Sequence, residues 1–147
     1  MIYTNKFDLP EPVVLALTTD DYTRGESNRS VTQLIDSPRY RILKHENEDR
    51  IEYDVSDMIW IALGKTVHKM FEQHAGGKYL PEERVFAEVH GWQVSGAIDI
   101  QYTDGDYVEL NDYKCTSVWS VIYGKSSWDN QLNFYAGLVR KIGRAHV

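Results

Sequence analysis

Apolar side chains return every three or four positions along three parts of the chain. The pattern is strongest over residues 57–74, which a Gly-Gly pair follows. The same spacing, less strictly kept, is found over about 30–44 and over 128–141. Because an α-helix brings positions three and four apart onto one face, these three segments are predicted to be helices that each bury one side.

Between the second and third of these segments, the apolar residues follow the two-residue period of strands. We predict strands over 84–90, 93–102 and 107–115, with Asp104-Gly105 as the hairpin turn between the last two. Strands joined by such short connections pair in the antiparallel direction. The order of helix, helix, three antiparallel strands and helix predicts an α+β fold in which helices cover one sheet.

Both ends of the chain are expected to differ from a folded domain over 30–141. Residues 1–29 are polar and rich in turn-forming residues, which predicts an irregular N-terminal arm. Residues 142–147 correspond to the codons ATC GGA AGA GCA CAC GTC, one reading frame of a common sequencing adapter. We expect an adapter-derived tail on a domain that is incomplete at its C-terminus; the alternative is a natural helix end capped by Gly143.

Composition narrows the class of protein. A chain of 147 residues with 42% hydrophobic residues has the length and balance of one globular domain. Its formal net charge of −6 argues against a protein that coats nucleic acid. It does not exclude an enzyme that acts on DNA, because a metal site concentrates carboxylates and so lowers the net charge.

The single cysteine and the lack of long apolar runs restrict the compartment. Cys115 alone excludes an internal disulfide and an iron–sulfur cluster held by four cysteines. No apolar run approaches the roughly 18 residues that span a bilayer, and the N-terminus lacks the pattern of a signal peptide. We therefore expect a cytoplasmic protein without a membrane partner.

Acidic residues stand on the two strands that the Asp-Gly turn joins. Asp99 lies on the first strand, and Asp112 and Lys114, two residues apart on the second, project to one face. Neighbouring carboxylates repel and lose hydration unless a divalent cation neutralises them, and Mg²⁺ prefers such oxygen ligands. A lysine beside them can orient or deprotonate a metal-bound water. The alternative is an ordinary polar sheet edge.

Two of the predicted helices carry further candidates. His68 can ligate a metal through a neutral imidazole, or it can form an exposed pair with Glu72 four residues later. Gln131 and Tyr135 are also four residues apart and share a face of the last helix. They can contact a phosphate or nucleotide, or they can be a surface pair with a half-buried tyrosine.

Four short motifs occur in a fixed order along the chain. They are Gly-x-x-x-His (Gly64, His68), Gly-x-Ile-Asp (Gly96 to Asp99), Asp-x-Lys (Asp112 to Lys114) and Gln-x-x-x-Tyr (Gln131, Tyr135). Over about 30–141 the chain resembles the PD-(D/E)XK nuclease superfamily, and within it the RecB-type, lambda-exonuclease-like branch. The resemblance implies a restriction-endonuclease-like core and cleavage of DNA that depends on Mg²⁺, or on Mn²⁺.

The resemblance also implies a role for each matching residue. Asp99 and Asp112 would ligate the metal, helped by the backbone carbonyl of Tyr113, and His68 matches the histidine that the RecB-type branch adds to the metal site. Lys114 would be the catalytic lysine. Asp112 stands where many members of the superfamily have glutamate, a variation that the family name allows.

Outside the metal ligands the match is less complete. Gln131 and Tyr135 match the motif that helps to position DNA and the lysine, so we expect them to be substrate-binding residues. Glu88, on the strand before Asp99, is a candidate auxiliary acid that matches no motif. Ser37-Pro38 falls where cluster-bearing relatives have Cys-Pro, so no iron–sulfur cluster is expected.

The resemblance implies a phosphodiester hydrolase that uses a metal-activated water. We expect an exonuclease of recombination, repair or replication, of phage origin and working in the host cytoplasm, with DNA as its partner. A homo-oligomer, or an assembly with recombination or replication proteins, stays open. So do a structure-specific endonuclease or junction resolvase of the same superfamily, and a non-catalytic DNA-binding module on a nuclease fold.

Aromatic residues near the predicted last loop and helix have two interpretations. Trp119, Tyr123 and Trp128 follow the Asp-x-Lys motif, the first two within a predicted loop over 116–127. They can stack on unpaired bases, or they can pack in the core or against the loop.

Overall fold

The computed structural model describes residues 1–19, 23, 25–105 and 107–143. The α-helices are α1 (Glu11–Thr18), α2 (Val31–Ile35), α3 (Pro38–Glu46), α4 (Ile59–His74), α5 (Val118–Tyr123) and α6 (Ser126–Lys141). The strands are β1 (Ile2–Thr4), β2 (Arg29–Ser30), β3 (Glu52–Asp54), β4 (Tyr79–Val89), β5 (Trp92–Asp104) and β6 (Tyr107–Asn111). The predicted α+β class is confirmed.

Strand β5 is the centre of the main sheet. It pairs antiparallel with β4 along one edge, and with β6 (antiparallel) and β2 (parallel) along the other. Strands β1 and β3 form a separate parallel pair. The three predicted antiparallel strands are therefore confirmed, whereas both parallel pairs were missed, since they join short segments far apart in sequence.

The hydrophobic core lies between the main sheet and two helices. Helix α6 contributes Tyr135, Leu138 and Val139 to this core, and Val31 is buried with them at the start of α2. At Gly96 on β5 the packing is so close that a Cβ atom would lie 2.7 Å from Cε1 of Tyr135. Interiors of this density leave no room for that atom. A glycine at this position thus lets α6 approach the sheet.

The predicted helix over 30–44 is two helices, α2 and α3. Its predicted start is correct, because the Ser30 side chain accepts from the Gln33 N–H while the Gln33 side chain accepts from the Ser30 N–H. The break falls at Asp36 and Ser37, because a residue before proline avoids the helical conformation. Pro38 then begins α3.

The other two helix predictions need only small changes. The segment predicted over 57–74 begins with a 3₁₀ turn over Val55–Met58, and α4 follows it. Helix α6 begins two residues earlier than the predicted 128–141. Of the predicted tail over 142–147, residues 144–147 lie outside the described residues.

The irregular conformation predicted for the N-terminal arm over 1–29 is wrong for the part that the structure describes. This segment contains β1, α1 and the first residue of β2. The prolines that suggested an irregular chain flank the start of α1, where the missing N–H of proline has no helical partner to lose. The predicted loop over 116–127 is also wrong in part, because it contains α5.

Two strand boundaries bear on the site. Strand β4 begins at Tyr79, earlier than the predicted 84–90, and β5 extends the predicted 93–102 at both ends. Strand β6 ends at Asn111, so Asp112 and Lys114 lie beyond the strand and not on it as predicted over 107–115. The ladder stops there because the Tyr113 N–H donates to the Asp99 side chain. Among the described residues, no helix is both long and apolar enough to cross a membrane.

Candidate functional site

The candidate site is built around the middle of β5, where Asp99 lies. The register places Glu82 of β4 opposite Asp99, between the pairs Pro81↔Ile100 and Glu83↔Ile98. Helix α4 carries His68 to the same place: its Nδ1 lies 3.4 Å from Oδ1 of Asp99 and 3.7 Å from Oε1 of Glu82. Two strands and one helix therefore bring an imidazole and two carboxylates together.

These three residues, His68, Glu82 and Asp99, form what we call the acid–imidazole cluster. One ligand atom of each lies within 4.8 Å of the others. An imidazole nitrogen and carboxylate oxygens are common metal ligands in proteins. The donor chemistry of the cluster thus fits a divalent cation.

The orientation of the His68 ring favours this use. Its Nε2 lies 2.9 Å from the backbone oxygen of Tyr113. Because a carbonyl can only accept a hydrogen bond, Nε2 carries the proton. In the neutral ring, Nδ1 then presents its lone pair to the two carboxylates, and a second hydrogen bond of this kind is how proteins orient metal-binding histidines.

Both carboxylates of the cluster lack enough positive charge around them. Burial is the main cause that raises the pKa of Asp99, and the nearby Asp112 raises it further, against the opposing effect of the Tyr113 N–H. Burial also raises the pKa of Glu82, and Asp99 adds to this while His68 opposes it. A bound cation would relieve both penalties, and perturbed carboxylates of this kind mark candidate functional sites.

A second group of polar residues, Asp112, Lys114, Gln131 and Tyr135, adjoins this cluster. We call it the lysine network. Lys114 Nζ lies 2.5 Å from Oδ2 of Asp112 and donates to Oε1 of Gln131 at 3.0 Å. The Gln131 amide donates to Oδ1 of Asp112 at 3.0 Å and to the Tyr135 hydroxyl at 2.7 Å. Gln131 thereby holds the lysine and the aspartate at once.

Burial makes this network rigid on its α6 side. Gln131 and Tyr135 are buried, and the Asp112 side chain is only 6% exposed. The predicted shared helix face is confirmed, whereas the alternative of a surface pair is wrong. Since their polar groups contact Asp112 and Lys114, the geometry supports a positioning role; direct contact with substrate stays a prediction.

The backbone of Tyr113 connects the two groups. Its N–H donates to Oδ2 of Asp99 at 2.6 Å, and its carbonyl accepts from His68. Because Tyr113 stands between Asp112 and Lys114 in sequence, the turn after β6 aligns the lysine network with the cluster. Its carbonyl has a second lone pair, so its predicted role as a metal ligand stays a prediction.

The structure brings six of the seven predicted site residues into one cleft at the sheet, and the seventh, Tyr113, contacts two of them through its backbone. Those that line the cleft are His68, Asp99, Asp112, Lys114, Gln131 and Tyr135. The alternative of a His68–Glu72 pair is wrong, because Glu72 pairs with Lys69 at 2.6 Å.

The auxiliary acid predicted at Glu88 is wrong in position. Glu88 pairs in register with Gln93, six residues along β5 from Asp99, or about 20 Å at the rise of a strand. The acid beside Asp99 is Glu82, which sequence reasoning missed because the predicted strand began at residue 84. Counting antiparallel partners outward from the hairpin at Gly91 would have placed Glu82 opposite Asp99.

The chain matches no family model, no curated protein and no solved structure. Its function is therefore inferred from the side chains of the site.

Proposed function

We propose that the protein is a metal-dependent deoxyribonuclease of the PD-(D/E)XK type, with a restriction-endonuclease-like core. The observation that carries the proposal is the combination of two parts. Two carboxylates with raised pKa values and an imidazole lone pair face one point, and a buried glutamine holds a lysine next to them. In metal-dependent nucleases a metal binds phosphate oxygens and a further cation can stabilise growing negative charge, and these two parts supply both functions.

The proposed metal is Mg²⁺ or Mn²⁺, held by His68, Glu82 and Asp99 with Asp112 close by. Carboxylate oxygens suit both ions. When bound, such an ion supplies a Lewis acid that polarises the phosphate and lowers the pKa of water. Glu82 is an addition to the ligands that the sequence predicted, and it rests on its distance from His68.

Lys114 is the residue that we propose to act on the phosphate. An ammonium group has three N–H donors, and within the described part of the chain two of them meet Asp112 and Gln131. The third can donate to a phosphate oxygen as negative charge develops. The two fixed contacts hold the ammonium in place, so little rearrangement is needed during the reaction.

The proposed reaction is exonucleolytic cleavage of DNA in recombination, repair or replication. End-labelled linear DNA and covalently closed circular DNA separate this from the endonuclease or resolvase alternative. Release of nucleotides from linear ends, with circles intact, supports an exonuclease. Cleavage of circles supports an endonuclease, and DNA binding without cleavage under any metal condition supports a non-catalytic module.

The decisive variants are Asp99→Ala and Lys114→Ala. We expect both to abolish cleavage in Mg²⁺ or Mn²⁺ while circular dichroism shows an unchanged fold, and we expect a chelator to abolish cleavage by the unmodified protein. Asp104→Ala, at the exposed end of the same strand, and Lys141→Ala, at the end of α6, are matched controls that keep activity. Undiminished cleavage by both site variants would contradict the proposal.

A further inference from the structure

An exposed aromatic surface follows directly after the candidate site. On α5, Trp119 is 62% exposed and Tyr123 is 80% exposed. Their rings are close to parallel, with centroids 6.1 Å apart and an interplanar angle of 19°. We call this pair the α5 platform. The interpretation that these residues pack in the core is wrong, because most of their surface faces solvent.

The charge around the α5 platform favours a negatively charged partner. Between Asp112, which pairs with Lys114, and Asp129, the chain contains two lysines and no aspartate or glutamate, although its net charge is −6. One of these lysines is Lys114 of the site. The other, Lys125, lies just after α5, with its Nζ 5.8 Å from the centre of the Trp128 ring. Aromatic faces beside lysines are the combination with which proteins bind single-stranded nucleic acid.

The platform is also close enough to the site to share one substrate. Trp119 is five residues after Lys114, so their Cα atoms are at most about 18 Å apart. At about 3.4 Å per stacked nucleotide, this distance corresponds to no more than about five nucleotides. The separation is therefore within the reach of one strand whose phosphate meets Lys114.

We infer that the α5 platform stacks unpaired bases of the DNA strand whose phosphate occupies the candidate site. Only an unpaired or frayed strand offers free base faces to a pair of exposed rings, while its phosphates meet the lysines on either side. The proposed substrate is thus a single-stranded end or overhang. This inference rests on the proposed function for its placement of the phosphate.

The test measures binding in chelator, so that cleavage does not interfere. Fluorescence anisotropy compares a labelled dT12 strand with a fully paired duplex, for the unmodified protein and for Trp119→Ala/Tyr123→Ala. We expect the double variant to bind dT12 at least about tenfold more weakly, as stacking measurements in other proteins indicate, and the duplex with little change. Trp92→Ala, an exposed tryptophan at the far end of β5, is the matched control and keeps its affinity.

Abasic strands test the same contact without altering the protein. Removing bases from a dT12 strand should weaken binding to the unmodified protein, and the loss should be much smaller for the double variant. Equal losses on dT12 and duplex, or equal sensitivity to abasic sites in both proteins, would overturn the inference. A shift from dimer to monomer in the double variant, with dT12 affinity unchanged, would also overturn it, since the surface would then be a contact between copies.

The outcome is separable from that of the proposed function. Hydrolysis of thymidine 5′-p-nitrophenyl phosphate, too small to reach the platform, reports on the site alone. If the double variant retains metal-dependent hydrolysis of this compound but loses dT12 affinity, both proposals stand. If the unmodified protein shows base-dependent binding but no hydrolysis of any substrate, the platform stands and the nuclease proposal fails.

Discussion

Two aspartates, Asp54 and Asp99, have the same side chain in opposite environments. Asp54 accepts four hydrogen bonds, from the Ser56 N–H and hydroxyl, the Thr4 hydroxyl and the Lys6 N–H. The Ser56 hydroxyl has the largest effect, and together the donors hold the pKa of Asp54 well below its usual range although burial opposes them. Burial raises the pKa of Asp99, and the neighbouring Asp112 raises it further.

The opposite pKa shifts distinguish a carboxylate that stabilises the fold from one that is available to bind a ligand. The Asp54 carboxylate connects β1 with the 3₁₀ turn before α4, and its charge is satisfied within the protein. The charge of Asp99 is only partly compensated, chiefly by the Tyr113 N–H, so ionising Asp99 destabilises the folded chain. A carboxylate kept at such a cost is a candidate for metal binding.

The largest expected effect comes from Asp99→Asn. This change removes a charged ligand, so cleavage should fall by at least about a hundredfold, because a metal contributes several kcal/mol to such reactions. In chelator, the same variant should have a higher Tm than the unmodified protein at neutral pH, since an unfavourable charge is gone. Mn²⁺ should raise the Tm of the unmodified protein but not that of the variant.

Measuring both cleavage and Tm distinguishes a loss of the metal ligand from unfolding of the variant. A variant that loses both activity and stability would contradict the assignment of Asp99 as a destabilising ligand. A variant that keeps activity would contradict its role in the site.

The next largest effect distinguishes the two glutamates of β4. Glu82→Gln should weaken the apparent affinity for Mn²⁺ by at least about 10- to 100-fold, because the loss of even an outer partner of a metal ligand has that effect. Glu88→Gln is the matched control on the same strand and should leave the affinity unchanged, because Glu88 pairs opposite Gln93. Calorimetric titration measures both. Equal affinities in the two variants would remove Glu82 from the proposed ligands.

A smaller effect, on stability alone, is expected for Asp54→Asn. The amide group offers one acceptor oxygen where the carboxylate offers two, so some of the four donors lose their partner. The midpoint of urea unfolding should fall at neutral pH, while metal affinity stays unchanged. A loss of metal affinity in this variant would show that the two regions are coupled.

The smallest and most specific effect is the opposite pH dependence of the two variants in chelator. Because the pKa of Asp54 is lowered by folding, its contribution is present above the unfolded value of about 3.9 and is lost as the pH falls through the folded pKa. Because the pKa of Asp99 is raised, the unmodified protein loses stability as the pH rises from about 3.9 through the folded pKa.

Urea unfolding between acidic and neutral pH measures both differences. At neutral pH the free energy of unfolding should be lower for Asp54→Asn, and higher for Asp99→Asn, than for the unmodified protein. Both differences should shrink as the pH falls. Differences of the same sign in both variants would contradict the contrast drawn between them.

Local patterns in the sequence were sufficient for much of the main sheet and for the α6 side of the site. The hairpin at Asp104-Gly105, the helical spacing of α4 and the pairing of Gln131 with Tyr135 each depend on residues a few positions apart. Spacing over a few residues determines which side chains share a face and where a hairpin turns. Local spacing thus predicted that Asp112 neighbours Lys114 and that Gln131 neighbours Tyr135, whereas only the resemblance implied that the four motifs meet.

Tertiary structure alone decided what depends on pairing between distant segments. The register of β4 against β5 placed Glu82, not Glu88, beside Asp99, and a one-residue change in register would turn every side chain to the other face. The backbone of Tyr113 left the ladder to bind Asp99 and His68. Solvent exposure of α5 also depended on which surfaces the other elements covered. Residue types and local spacing thus determined which groups can do chemistry, whereas long-range packing determined which of them meet.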